Sequence, residues 1–143
     1  MKRRDILKVA GAFAALTIVG AEASEKSEAY KNRYKYSIKD SKNPTKAELK
    51  HSPRVTLGDK DKNGYTQVDI TVGQKGIIHP SVASHWIDFI VLYADGKLVG
   101  KNTLEPVISR GFSGFAVKLD DVKSLTAEAG CNLHGVWKTT IKL

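Results

Sequence analysis

Five side chains in this sequence can hold a transition metal: the imidazoles of His51, His79, His85 and His134, and the thiol of Cys131. Four nitrogens and one sulfur suit iron, copper or zinc, whereas magnesium and calcium prefer oxygen. The donors fall in three places, Lys50-His51-Ser52-Pro53, His79-Pro80 through His85, and Cys131-Asn132-Leu133-His134-Gly135. Each lies within a few residues of a turn signal (Pro53, Pro80 or Gly135), and no histidine or cysteine is left elsewhere as background. A single cysteine excludes an intramolecular disulfide and any four-cysteine zinc or iron site, so the thiol acts alone or with other ligand types.

The rest of the chain must position them. With 143 residues, 41% of them hydrophobic, it forms one domain that buries roughly two thirds of its unfolded surface, so no metal is needed merely to hold it together. From residue 65 the hydrophobic period becomes two: Val68, Ile70 and Val72 fall on one face, which predicts a half-buried strand over 65–72. Residues 85–93 are apolar on both faces with Asp88 the lone charge, which predicts a central strand. Asp95-Gly96 supplies the positive φ angles of a two-residue hairpin turn, and residues 97–99 return as its partner. Residues 112–119, 124–128 and 136–143 predict three more strands, separated by Gly111, Asp120-Asp121 and Gly130. Only residues 45–50 invite a helical turn, with Thr45 as its cap. Turns this frequent predict an all-β fold, an antiparallel sandwich or small barrel whose end loops can gather residues distant in sequence.

Residues 24–50 are polar and lysine-rich, with Tyr30, Tyr34 and Tyr36 among the cations. Cations beside aromatics can serve nucleic acid, but no recognition motif follows. The segment reads as a solvated lead-in that packs its tyrosines on the domain. A formal charge of +8 favours an anionic partner without naming it. Residues 1–23 run from a basic head through a mostly apolar stretch to Ala21-Glu22-Ala23, the order of a secretory signal cut before Ser24. Arg3-Arg4 followed by Asp5-Ile6-Leu7-Lys8 resembles the twin-arginine export signal, which implies a periplasmic protein, membrane-anchored if the signal stays uncut. Removing four cations and two anions with the signal takes the charge from +8 to +6.

The three donor clusters together resemble the superoxide reductase family, the catalytic iron domain shared by neelaredoxin and desulfoferrodoxin, from about Glu48 to the C-terminus. Cys131 through Trp137 matches the family's C-N-x-H-G-x-W stretch, His79-Pro80 and His85 match its H-P-x-x-x-x-H, and Lys50-His51-x-Pro53 matches the end of its E-K-H-x-P. The resemblance implies an immunoglobulin-like antiparallel β-sandwich or barrel over residues 51–143. It also implies one mononuclear iron, Fe(2+)/Fe(3+), with His51, His79, His85 and His134 around it in a plane, Cys131 axial and the sixth position open. The implied reaction is the one-electron reduction of superoxide to hydrogen peroxide. The electron comes from an external donor, which for an exported protein is a periplasmic or membrane-bound carrier. Lys50 is implied as a catalytic cation that draws in superoxide and orders the water that protonates the product. A homo-oligomer is implied, and the small four-cysteine iron domain of desulfoferrodoxin is not expected.

One position departs from the family pattern. Where a glutamate commonly stands directly before the lysine, this chain has Leu49, with Glu48 one place earlier. Glu48 is therefore expected to be an ordinary solvated charge, and oxidised iron to take water, hydroxide or no sixth ligand. Asn132 and the amides of Leu133 and His134 are candidates to donate toward the sulfur, while Trp86 and Trp137 are expected to pack and shield. Two rival functions remain. One is a non-catalytic periplasmic iron- or zinc-binding module, against which a five-ligand set speaks. The other is a basic binding domain with incidental histidines.

Overall fold

Eight strands and one short helix follow one another along the residues that the computed structural model describes, 31–143. The expected signal over 1–23, its cut before Ser24, and Tyr30 lie outside those residues. The elements are β1 (Lys35–Tyr36), α1 (Lys46–His51), β2 (Pro53–Lys60), β3 (Thr66–Val72), β4 (Ile87–Ala94), β5 (Lys97–Thr103), β6 (Phe112–Val117), β7 (Ser124–Cys131) and β8 (Gly135–Lys142). They form a five-stranded sheet in the order β1-β8-β7-β4-β5 and a three-stranded sheet in the order β2-β3-β6. All pairings between named strands are antiparallel except β1 with β8, which is parallel. The fold is thus the all-β sandwich that the turn spacing predicts.

Alternation decides which side chains enter the core. Val68, Ile70 and Val72 of β3 are buried together with Ile90 and Leu92 of β4 and with Leu125, Ala127 and Ala129 of β7. That last series steps by two residues and ends on Cys131, so the rule that buries the apolar face of β7 also buries the sulfur. Strand β4, flanked by β7 and β5, is buried along most of its length, as its two apolar faces predict. Asp95 (φ 46°) and Gly96 (φ 78°) make the expected tight turn into β5.

Two expectations need correction, and one strand was not foreseen. Gly130 is not a turn but lies inside β7, where a Cβ would come within 2.2 Å of the Phe89 ring. Strand β2 escapes the periodicity because it is an edge strand whose outward residues are charged or polar, leaving little apolar alternation to read. The lead-in is also more than a solvated strap. The Asp88 carboxylate, the lone charge of β4, receives the Arg33 guanidinium at 2.7 Å, and Lys35 reaches Glu128 at 3.1 Å. Residues 31–50 accordingly belong to the same compact unit as the strands, Lys31–Leu143.

The β7–β8 hairpin closes on the pair Cys131↔Gly135. Gly135 has φ +89°, and a Cβ there would lie 2.5 Å from the Tyr36 ring and 2.7 Å from the Tyr34 carbonyl oxygen. Both the backbone angle and the close approach require glycine. Gly135→Ala should therefore destabilise the protein by about 2 kcal/mol or more, read from the midpoint of denaturant unfolding. An unchanged midpoint would mean that the hairpin relaxes freely.

Candidate metal centre

Each donor is carried by a different local device. Helix α1 begins at Thr45, whose hydroxyl accepts from the Glu48 amide at 3.2 Å while the Glu48 carboxylate accepts from the Thr45 amide at 2.8 Å. This is a capping box. The second Glu48 oxygen accepts from the Lys39 amide at 3.0 Å, so the carboxylate is buried and hydrogen-bonded at the head of the helix. The expectation of a solvated charge fails here. The backbone amides of Thr45 and Lys39 also hold the Glu48 carboxyl below its usual range. At the other end of α1, the Gln74 and Gly73 amides donate to the carbonyls of Leu49 and Ser52. The helix is thereby fixed at both ends, with Lys50 and His51 in its last turn.

His79 follows β3, with its amide bonded to the Val72 carbonyl, and His85 closes a tight reversal in which Val82 and His85 exchange backbone hydrogen bonds. That reversal is how six residues of spacing bring two rings to one place. Cys131 and His134 flank the tip of the β7–β8 hairpin. Asn132 joins the last two devices. Its side-chain oxygen accepts from the Trp86 amide at 2.9 Å, its NH2 group donates to the Ser84 carbonyl at 2.9 Å, and its own amide donates to the Trp86 carbonyl at 3.2 Å. Of the candidate donors toward the sulfur, the Leu133 and His134 amides are ones that lower the Cys131 pKa.

The four imidazoles form a closed cycle. Ring centroids lie 5.0 Å apart for His51–His79, 4.6 Å for His79–His85, 4.8 Å for His85–His134 and 4.8 Å for His51–His134, each pair edge-on. His51 and His85 face each other across it at 6.0 Å. The His134 Nδ1 lies 3.1 Å from Nε2 of His51, 3.1 Å from Nε2 of His85 and 3.6 Å from the Cys131 sulfur. One donor atom from each of His51, His85, Cys131 and His134 falls within 4.8 Å of the others. His79 stands outside that tightest group. Its ring packs against His51 and His85, and its Nε2 is buried without a hydrogen-bond partner among the described residues.

The chemistry of these atoms fits a metal ion. His51 Nδ1 donates to the Ala47 carbonyl at 2.7 Å and His79 Nδ1 to the Pro80 carbonyl at 2.8 Å, which leaves each Nε2 as a lone pair. A buried lone pair without a partner is costly, and several converging on one point repel. A cation resolves both. Two nitrogens bound side by side to one metal at about 2.1 Å stand about 3 Å apart, close to the observed 3.1 Å. Burial pushes His51 down to about 4 and His79 down to about 3, and it also lowers His85. The three rings are therefore neutral and able to ligate at neutral pH. Burial raises the Cys131 thiol, and the two amides of its own hairpin oppose that rise.

Lys50 is half-buried, and its charge lowers the pKa of both His51 and His85, which places the ammonium near the cycle. Trp137 stacks on His51 (5.5 Å, 23°) and donates its indole N–H to the His134 carbonyl at 2.8 Å, so it packs against the donors as expected. Trp86 is buried. The carbonyls of Ala47 and Pro80 that set the ring tautomers were not legible in the sequence, because every residue type offers the same oxygen.

The desulfoferrodoxin family model matches residues 43–140. A desulfoferrodoxin from Nitratidesulfovibrio vulgaris is 39% identical over 92 residues, covering 64% of this chain and 63% of the relative. One from Clostridium acetobutylicum is 32% identical over 95 residues, covering 66% and 65%. This chain thus spans just under two thirds of the length of these curated relatives. Among solved structures, the superoxide reductase (1Fe-SOR) of Giardia intestinalis is 30% identical, with a TM-score of 0.57, and the match covers 66% of this chain and 98% of that one. The superoxide reductase of Nanoarchaeum equitans is 27% identical with a TM-score of 0.56, covering 66% and 94%.

The histidine environments fix a pH dependence. Their folded pKa values lie below the unfolded value of 6.5, so between about pH 3 and 6.5 the unfolded chain binds more protons. Stability of metal-free protein should be full above pH 6.5 and should fall as the pH drops toward 3. Urea midpoints measured at pH 7, 5.5 and 4.5 should decline in that order, and a flat series would show that the rings titrate normally.

Proposed function

As the chain belongs to the desulfoferrodoxin family, we propose that it is a superoxide reductase holding one mononuclear iron through His51, His79, His85, His134 and Cys131. The observation that carries this reading is the closed cycle of four imidazoles with a buried thiol at hydrogen-bonding range of one of them. Iron bound there would supply one electron, so that superoxide, that electron and two protons give hydrogen peroxide, and an external donor would restore the ferrous state. Five donors with one sulfur support iron over a four-ligand zinc site.

The protein's own groups have separate tasks in this scheme. Backbone carbonyls hold two rings in the tautomer that ligates, and the Leu133 and His134 amides stabilise negative charge on the sulfur. Lys50 adds a positive charge beside the cycle, which draws an anionic substrate and can orient a proton-carrying water. Glu48 takes no part at the metal, because its two oxygens are held by the Thr45 and Lys39 amides. Export by the twin-arginine route to the periplasm, a carrier located there or in the membrane, and homo-oligomeric assembly belong to the same proposal, supported by the order of residues 1–23 and by the family resemblance.

Pulse generation of superoxide over the ferrous protein should yield peroxide without dioxygen. Dioxygen and peroxide together would mean dismutation, and neither would indicate a metal-binding module without turnover. Lys50→Ala should lower the second-order rate by about tenfold and flatten its salt dependence, since attraction between opposite charges weakens with ionic strength. Cys131→Ser should abolish the sulfur-to-iron absorption band of the oxidised protein, and a surviving band would overturn the thiolate assignment.

A further inference from the structure

The segment ahead of helix α1 is stitched to the hairpin that carries Cys131. The Lys31 amide donates to the Asn132 carbonyl at 2.8 Å, the Val136 amide donates to the Tyr34 carbonyl at 2.8 Å, and the Tyr36 ring stacks on Trp137 at 5.2 Å. Arg33 stands between the first two of these ties, ahead of the region that the family model matches. Its guanidinium is shared between two groups: Nη1 donates to the Cys131 carbonyl at 3.3 Å, and Nη2 donates to Oδ2 of Asp88 at 2.7 Å. The guanidinium also lies over the Phe89 ring, 5.7 Å from its centroid.

Asp88 sits at an irregularity of the sheet. Across β4 and β7, Ile87 faces Cys131 and Phe89 faces Gly130, so Asp88 is the extra residue of a β-bulge beside the cysteine, a device that re-aims a side chain. Its carboxylate is buried, and Oδ1 has no hydrogen-bond partner among the described residues. Such a charge is costly unless a cation offsets it, and Arg33 is in contact with it while Lys101 acts on it from the exposed side of the Phe89 ring. The two charges also reach the thiol in opposite senses, the carboxylate pushing its pKa up and the guanidinium pulling it down. Groups that bear on a ligating sulfur tune how strongly it donates to the metal.

We propose that Arg33 and Asp88 are paired positioning residues behind the cysteine ligand: the guanidinium anchors the Cys131 carbonyl, and the balance of the two opposite charges sets the electron donation of the sulfur and hence the reduction potential of the bound iron. This rests on the redox reading of the centre given above and adds a determinant of its potential that the lead-in supplies.

The test uses the iron-loaded full chain, titrated with redox mediators while its sulfur-to-iron absorption band is followed. Asp88→Asn keeps the shape of the side chain and an acceptor for Arg33 but leaves the guanidinium uncompensated, since arginine stays protonated. At a fixed poise the ferrous-to-ferric ratio should rise about tenfold, or about 59 mV for a one-electron couple, and the band should move to higher energy as the sulfur's filled orbitals are stabilised. The Arg33 side chain keeps 36% of its surface in water, so replacing it opens no cavity. Arg33→Gln, compared with the parent at about pH 9 where Asp88 is ionised, should lower the ratio about fivefold and move the band to lower energy. The double variant should return to within about twofold of the parent, and so should Glu128→Gln, which removes a carboxylate of the same strand as Cys131 that pairs with Lys35 instead. A merely structural role would lower iron content or the unfolding midpoint without moving the ratio in opposite directions. Ratios within about twofold of the parent, or shifted the same way, in the single variants that hold iron would overturn the proposal. Failure of both single variants to hold iron would overturn it too, because the pair would then serve assembly of the site and not its potential. Opposite shifts in a protein that makes no peroxide from superoxide would instead sink the proposed reaction and leave the role of the pair standing.

Discussion

Everything near the centre depends on gathering ring nitrogens at one point, with the rings of His51 and His79 held out of water. The His134 Nδ1 has two other ring nitrogens at 3.1 Å, and the buried Nε2 of His79 has no partner among the described residues. Such a cluster opposes its own formation, since the buried His51 and His79 rings give up hydration and the His79 Nε2 gains no partner in return among the described residues. The fold sustains it by committing the remaining polar groups. Ala47 and Pro80 carbonyls take the outward N–H groups, Asn132 binds the His85 loop to the hairpin, and the capping box fixes the helix that ends in His51. The frame is thus built for an ion, and the ion and the frame stabilise one another.

Much of this was legible in the sequence, for identifiable reasons. Strands β3 and β4 announce themselves because burial on one face or two leaves a period that survives translation into residue types. The five donors stand out because their types are scarce and all lie beside turns. What the sequence hid is carried by backbone or by context. Strand β2 and strand β1 are polar segments whose pairing depends on their neighbours. The ring tautomers depend on carbonyls that any residue could offer. Gly130 reads as a turn because a glycine forced by the packing of Phe89 looks the same as one forced by a bend.

Glu48 shows how little displacement changes a role. Successive residues on a helix are rotated by about 100°, so a carboxylate one place earlier leaves the face on which its neighbour stands. Here it turns to the helix head and receives two amides, while Leu49 occupies the next position as a buried apolar residue. The Glu48 carboxylate is thus part of the scaffold that aims Lys50 and His51.

The parallel pairing of β1 with β8 covers only two residues of that sheet's margin, at the end nearest the histidines. A fragment trimmed to the matched region, 43–140, would lose this cover. It would present an open ladder of amides and carbonyls alongside a bared indole, the kind of rim that invites a second molecule to add its own strand. Self-association of such a trimmed protein would then begin at the donor-bearing end and occlude it.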